Sequence, residues 1–149
     1  TNSYFQQVLS FAQSENNIAI PICAKIEEEL SGLDKEEKQE FLLELGIKES
    51  GLDKVIKAAY RILDLCTFLT AGSDECRAWT FRKGMKAPQC AGVIHTDFEK
   101  GFIRAECYAF EDIDALETEQ AVKEAGKLRL EGKEYLVKDG DVLHFRFNV

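Results

Sequence analysis

Near Thr67 the apolar period of the chain changes from helical to two-residue alternation, and one element cannot carry both patterns. Before it, Leu52, Val55, Ile56, Ala59, Leu63 and Cys66 recur at helical spacing, which predicts a helix over 52–66 with an apolar face that needs a partner. After it the chain reads as sheet. Phe68 and Thr70 begin an extended piece, Ala71-Gly72-Ser73-Asp74 is a turn, and Glu75–Arg82 alternates again. Cys76, Ala78 and Thr80 lie on one face of that strand and Arg77, Trp79 and Phe81 on the other, so the two runs predict a hairpin.

Pro88 suits the first position of a short helix ending near Ile94, where its missing N–H is not needed. A polar hinge follows (His95, Thr96, Asp97, Lys100), closed by Gly101. Phe102–Phe110 then alternates, with Ile103, Ala105, Cys107 and Ala109 facing one way and Arg104, Glu106 and Tyr108 the other. Glu111–Glu124 is acidic and reads as irregular with some helix; Arg129–Val137 offers short extended pieces around Gly132. After the turn Lys138-Asp139-Gly140-Asp141 comes the cleanest strand, with Leu143, Phe145, Phe147 and Val149 on the core face and Val142, His144, Arg146 and Asn148 on the other. Two strands, a short helix, then further strands with a long final one is the order of a β-grasp fold, an α+β architecture, over roughly residues 65–149.

Upstream, residues 3–15 form a helix with Ser3 as cap. Ile18–Ile22 is too apolar and β-branched for a surface loop and reads as a short buried strand. A lone strand cannot satisfy its backbone, so it either joins the main sheet or belongs to a larger domain. Ala24–Leu30 is helical. Asp34 with Glu37 has capping-box spacing; Ser50 with Asp53 repeats it with a shorter acid. Gly46 stops the helix between them.

Charge divides the chain unevenly. The net charge is −8, yet residues 27–49 alone carry nine acids against three lysines. Within Arg77–Arg104 the sign reverses, since Arg77, Arg82, Lys83, Lys86, Lys100 and Arg104 face only Asp97 and Glu99. Binding to nucleic acid follows such local fields rather than the total. Five widely spaced cysteines without a CxxC, and two histidines, argue against a zinc site and read as buried cytosolic thiols. No apolar run of about 18 residues and no signal segment is visible, so the expectation is a soluble cytoplasmic chain without a membrane partner.

Two strings, AGSDECRAWTFRKGMKAPQCAGVIHTDFEKGFIRAECYAFED and AGKLRLEGKEYLVKDGDVLHFRFNV, carry a resemblance. With them, essentially the whole chain resembles the C-terminal part of the YchF-type, or Obg-like, ATPases, a family of P-loop NTPases related to translation factors. The resemblance implies a TGS domain (ubiquitin-like β-grasp) over 67–149, a helical linker over 26–66, and over 1–25 the last helix and strand of a truncated P-loop domain. It implies that Cys23, Ala24 and Lys25 touch the nucleotide base in the intact parent, which would use ATP or GTP with magnesium. The chain has no G-x-x-x-x-G-K-[ST], so neither hydrolysis nor a cofactor is expected of the fragment itself.

The expected role is therefore a binding module for RNA or the ribosome. Arg77, Arg82, Lys83, Lys86, Lys100 and Arg104 would make the contact, with Trp79 and Phe81 stacking if exposed and His95 bonding a phosphate or base. The bland readings are that Trp79 caps the core and that His95 fastens the hinge through Asp97. The alternative function is an intramolecular module that positions the nucleotide-binding domain of the same chain without touching RNA. Thiol or acid–base chemistry from Cys90, His95 and Asp97 is the least favoured reading. An unpaired edge at Ile18–Ile22 would also permit self-association.

Overall fold

Five strands form one sheet in the order β2-β1-β5-β3-β4. The computed structural model describes residues 2–72 and 75–148, and the chain falls into two units, Thr1–Ile62 and Leu63–Val149. The sheet belongs to the second. β1 (Leu65–Ala71) and β2 (Cys76–Arg82) make the expected antiparallel hairpin, from Leu65 opposite Arg82 to Ala71 opposite Cys76. Ser73 and Asp74, half of the expected turn, lie outside the described residues. β5 (Asp141–Phe147) runs parallel to β1 and antiparallel to β3 (Phe102–Ala109), and β4 (Arg129–Glu131) closes the far edge on β3. First and last strands side by side and parallel, each flanked by an antiparallel neighbour, give a β-grasp-like α+β unit.

Both faces of this sheet are packed, which alternation alone did not reveal. On one face α5 (Ala87–Ile94) sets Ala87, Cys90 and Ala91 against Phe68, Phe81, Phe102, Ala105, Cys107 and Leu143, all buried. On the other, Tyr108 and Val142 pack with Val122, Leu69 and Ala71 beneath α7 (Phe110–Leu116) and α8 (Glu119–Glu124). The acidic stretch expected to be largely irregular is thus two short helices, the second capped by Thr118, whose hydroxyl accepts the Ala121 N–H. Its few apolar residues (Ile113, Leu116, Val122) close a second core, so tertiary burial overrides a polar composition.

β3 also departs from simple alternation. Phe102 pairs with Phe147 but Arg104 pairs with Arg146, so one extra residue, Ile103, bulges from the ladder. The bulge turns Phe102 into the core and leaves Ile103, expected inside, 55% exposed. The expected polar hinge is one helical turn, α6 (Thr96–Lys100), and Phe98 of that turn stacks on Phe147 at 3.8 Å between ring centroids.

In the first unit, α1 (Ser3–Ser14) is capped by Asn2 rather than Ser3, with Asn2 Oδ1 accepting the Tyr4 N–H at 2.9 Å. α2 (Ala24–Ser31) and α3 (Lys35–Glu44) follow, the latter with the complete Asp34–Glu37 capping box. Gly46, at φ +66°, ends α3. α4 (Gly51–Ile62) starts where Ser50 Oγ accepts the Asp53 N–H; the Asp53 carboxylate meets the Ser50 hydroxyl instead of completing the box. A cap from a distant residue takes its place, since Glu27 accepts the Gly51 N–H at 2.7 Å. A Cβ at Gly51 would meet that carboxylate at 2.8 Å.

Two expectations fail at this level. α4 ends at Ile62, not Cys66: Asp64 turns the chain at φ +51°, and Leu65 and Cys66 join β1, where Cys66 packs against the sheet core. Ile18–Ile22 forms no strand. It has no hydrogen-bonding neighbour among the described residues, the sheet does not include it, and Ile18 and Ile22 are exposed.

Candidate functional site

The cationic residues of Arg77–Arg104 reach the surface by different routes and do not share one face. Arg77 and Trp79 project from β2 toward the α5 side of the sheet. The Arg77 guanidinium lies 4.2 Å from the Trp79 ring centroid, the ring stacks on Phe68, and Trp79 Nε1 donates to Thr70 Oγ1 at 2.9 Å. Trp79 is therefore half-buried and engaged by Arg77, Phe68 and Thr70, and Phe81 is buried outright, so Phe81 is not a stacking group for a ligand. Arg82 points to the opposite face. Lys83 follows it into a turn where its N–H donates to Asp64 O at 2.8 Å and Gly84 takes φ +89°. Lys86 opens α5 and its ammonium is held by Glu134.

His95 joins α5 to α6. Its Nδ1 accepts the Asp97 N–H at 3.2 Å and lies 3.5 Å from Asp97 Oδ2, so its ring caps the following turn. Lys100 ends that turn, where a cation complements the exposed carbonyls. Arg104 stands on the sheet face away from α5, directly opposite Arg146 on β5. Arg146 in turn grips Glu106 through Nε and Nη2 at 3.2 and 3.1 Å. The guanidinium holds the Glu106 carboxyl below its usual range, through that hydrogen bond first and its charge second, against partial desolvation.

Two groups emerge. Arg82 and Lys83 sit at the Leu65 end of the sheet; Lys100, Arg104 and the unanticipated Arg146 gather at the other. Arg82 is level with Leu65, and Arg104 with Arg146, which places them eight positions apart along the paired strands, about 26 Å. Gly101 O accepts the Asn148 N–H at 2.9 Å, which brings the end of α6 beside the end of β5. Arg146 escaped the sequence reading because it lies 42 positions from Arg104 and only the register joins them.

Toward the covered half of the same face the charges are spoken for. Tyr108 donates to Glu119 Oε1 at 2.6 Å and His144 Nε2 lies 2.8 Å from the same oxygen, tying α8 to the sheet. On the α5 side, buried Asp141 accepts from the Tyr135 hydroxyl (2.7 Å), the Lys138 N–H (2.8 Å) and Arg129 Nη2 (3.3 Å), and Arg129 also reaches the Cys107 sulfur at 3.1 Å. These are fully satisfied fastenings. Burial pushes the Cys90 thiol up to about 12 and the Cys107 thiol up to about 11, which is the wrong direction for a nucleophile. Contrary to expectation not all five thiols are buried, since Cys23 and Cys76 are exposed.

Cys23, Ala24 and Lys25 lie together at the start of α2, all exposed, with no side chain capping the first amides. Among the described residues no group of three or more His, Cys, Asp or Glu side chains is placed to hold a metal ion. No helix among the described residues is long and apolar enough to cross a membrane.

Residues 65–148 match the YchF-GTPase_C family, described as "Protein of unknown function (DUF933)". The chain belongs to that family. It is 61% identical over 148 residues to the "Ribosome-binding ATPase YchF" of Bacillus subtilis, covering 99% of this chain and 40% of the relative, and 57% identical to the protein of the same name from Haemophilus influenzae, covering 41% of it. Among solved structures, the Schizosaccharomyces pombe YchF GTPase superposes with a TM-score of 0.85 at 40% identity, over 98% of this chain and 39% of that one. The chain thus spans about two-fifths of the length of these relatives, and the family it matches is the carboxyl-terminal region of YchF GTPases.

Proposed function

We propose that this chain is the carboxyl-terminal portion of a cytoplasmic, ribosome-associated Obg-like ATPase or GTPase, and that its second unit is a TGS domain serving as an RNA or ribosome contact. The observation that carries this reading is the cationic end of the sheet: Lys100 and Arg104 are exposed, and no described acid forms an ion pair with either. Relatives named for ribosome binding support it. On this proposal residues 1–25 complete the nucleotide-binding domain and 26–66 link it to the TGS domain. Hydrolysis of ATP or GTP with magnesium belongs to the intact parent. The exposed junction Cys23-Ala24-Lys25 fits one edge of a nucleotide base, through backbone amides left open at the start of α2.

The second reading, an intramolecular positioning module, draws on Arg77 and Lys86, which spend their charge on Trp79 and Glu134. Cosedimentation of the 149-residue chain with ribosomes across a salt series separates the two. Binding at low salt that weakens steeply as salt rises is the expected result. Absence of cosedimentation at low salt, or binding indifferent to salt, overturns the contact role and leaves the positioning role.

A further inference from the structure

Arg104 and Arg146 are directly opposed on neighbouring antiparallel strands, two like charges beside a single carboxylate, Glu106, that offsets only part of their repulsion. Residues opposite one another across a strand pair have Cβ atoms about 5 Å apart, and like charges there are destabilising. One acid, Glu106, stands next to the pair, and it is committed to Arg146 through two hydrogen bonds. That clamp fixes the Arg146 guanidinium and leaves Arg104 exposed with no ion-pair partner among the described residues. Lys100, at the last turn of α6, adds a third cation at the same end of the sheet. The bulge at Ile103 sets the geometry: without the extra residue Arg104 would face the core with Phe102, not Arg146.

Resting on the RNA or ribosome contact proposed above, we infer that the Arg104–Arg146 pair, with Glu106 as orienting counter-charge, is a phosphodiester clamp for single-stranded RNA. Two planar forks at strand spacing present paired N–H donors to one or two adjacent phosphates, the geometry guanidinium groups match and ammonium groups do not. A phosphate bridging the two relieves their repulsion, so binding gains what the free domain forgoes. The same face carries the exposed Leu130 opposite Glu106 but no exposed aromatic of β3 or β5, so recognition there is of backbone rather than base.

The test is fluorescence anisotropy of the 149-residue chain with a labelled 20-nucleotide poly(U), repeated over a salt series, with circular dichroism of every variant to verify the fold. Arg104→Ala should weaken binding about tenfold and lower the salt slope by roughly one phosphate contact. Glu106→Gln keeps a carbonyl oxygen that can accept from Arg146 and so hold the fork, while removing the competing negative charge, and should tighten binding about threefold. The double variant Arg146→Ala/Glu106→Gln keeps the local net charge of the wild type and should still lose about fivefold, because the fork is gone. Lys123→Ala on α8 removes an equal charge elsewhere and should change affinity less than twofold. Arg104→Lys should recover only part of the loss. If the wild-type chain fails to bind poly(U) but binds ribosomes, the clamp is overturned while the contact role stands, now through ribosomal protein. If poly(U) binds and the arginine variants match Lys123→Ala, the clamp is likewise overturned and RNA binding lies elsewhere on the chain. Failure on both poly(U) and ribosomes removes both proposals.

Discussion

The two units use the same kind of amphipathic patterning to opposite ends. In the second unit every strongly patterned segment finds a partner: Phe68, Phe102 and Leu143 meet α5, and Tyr108 and Val142 meet α7 and α8. In the first, α4 has a well-formed apolar stripe, yet Leu52 is 60% and Ile56 47% exposed, and an open groove lined by Ile22, Leu30, Leu42, Leu52 and Val55 runs beside it. Periodicity decides which face of an element is apolar. Whether that face is buried depends on topology, because burial requires an opposing surface.

The largest expected effect comes from the strand that the second unit cannot replace. β5 is hydrogen-bonded on both sides, to β1 and β3, so deleting Phe145–Val149 removes three of its seven paired positions with β3 and the Phe145 and Phe147 contacts. Loss of the cooperative unfolding transition of the second unit, with first-unit helix retained by circular dichroism, is the outcome expected. A truncated chain that still melts cooperatively near the wild-type midpoint would break the comparison.

A matched pair of substitutions sharpens it. Phe68 is fully buried and touches Trp79, Phe81 and Phe145, so Phe68→Ala should cost about 3–5 kcal/mol in denaturant unfolding. Ile56→Ala, on the uncovered stripe of α4, should change stability by only about 0.5 kcal/mol. Similar costs at the two positions would mean that the α4 face is covered in solution. Between the two falls Asp34→Ala, which removes the capping box of α3 and should cost the first unit about 1 kcal/mol without moving the second.

What the sequence disclosed follows the same division between local and distant causes. The hairpin, the Pro88 helix, the helix starts at Asp34 and Ser50 and the final strand were legible because turn residues, caps and period act within a few positions. Three features were not. The bulge at Ile103 shows only in the β3–β5 register, and it alone decides that Phe102 rather than Ile103 is core. The second core was hidden because Tyr108 and Val142 alternate with Cys107 and Leu143, and a strand buried on both sides loses its alternation. Glu27 gave no sign of capping α4, since its partner is 24 residues away. The cationic surface was half legible: Lys100 and Arg104 are visible in one string, whereas Arg146 and its counter-ion Glu106 become neighbours only across the ladder. Ile18–Ile22 shows the limit of propensity, because β-branched residues specify a strand only where a second strand is present to pair.

The smallest expected effect concerns pH, and it bears on whether the open end of the sheet contributes to stability. The Glu106 carboxyl titrates below its usual value of 4.5 because Arg146 hydrogen-bonds its charged form. A carboxyl depressed in the folded state contributes stability that is fully present above its unfolded value and lost as pH falls through the folded one. Glu119 behaves in the same sense, held down first by the Tyr108 hydroxyl and then by His144, so the wild-type acid limb reports both. Arg146→Ala isolates the first. The midpoint gap between wild type and Arg146→Ala should be constant at neutral pH and should close as pH drops through and below 4.5, where Glu106 is protonated in both proteins. The Tyr108→Phe gap should close in the same direction, independently of the first, since that hydroxyl serves Glu119. An Arg146→Ala gap that persists unchanged at acid pH would mean that Arg146 stabilises β5 by packing its aliphatic stem and not through Glu106. The orienting counter-charge would then be idle, and the open end of the sheet would resemble the uncovered stripe of α4: a patterned surface that contributes little until something binds to it.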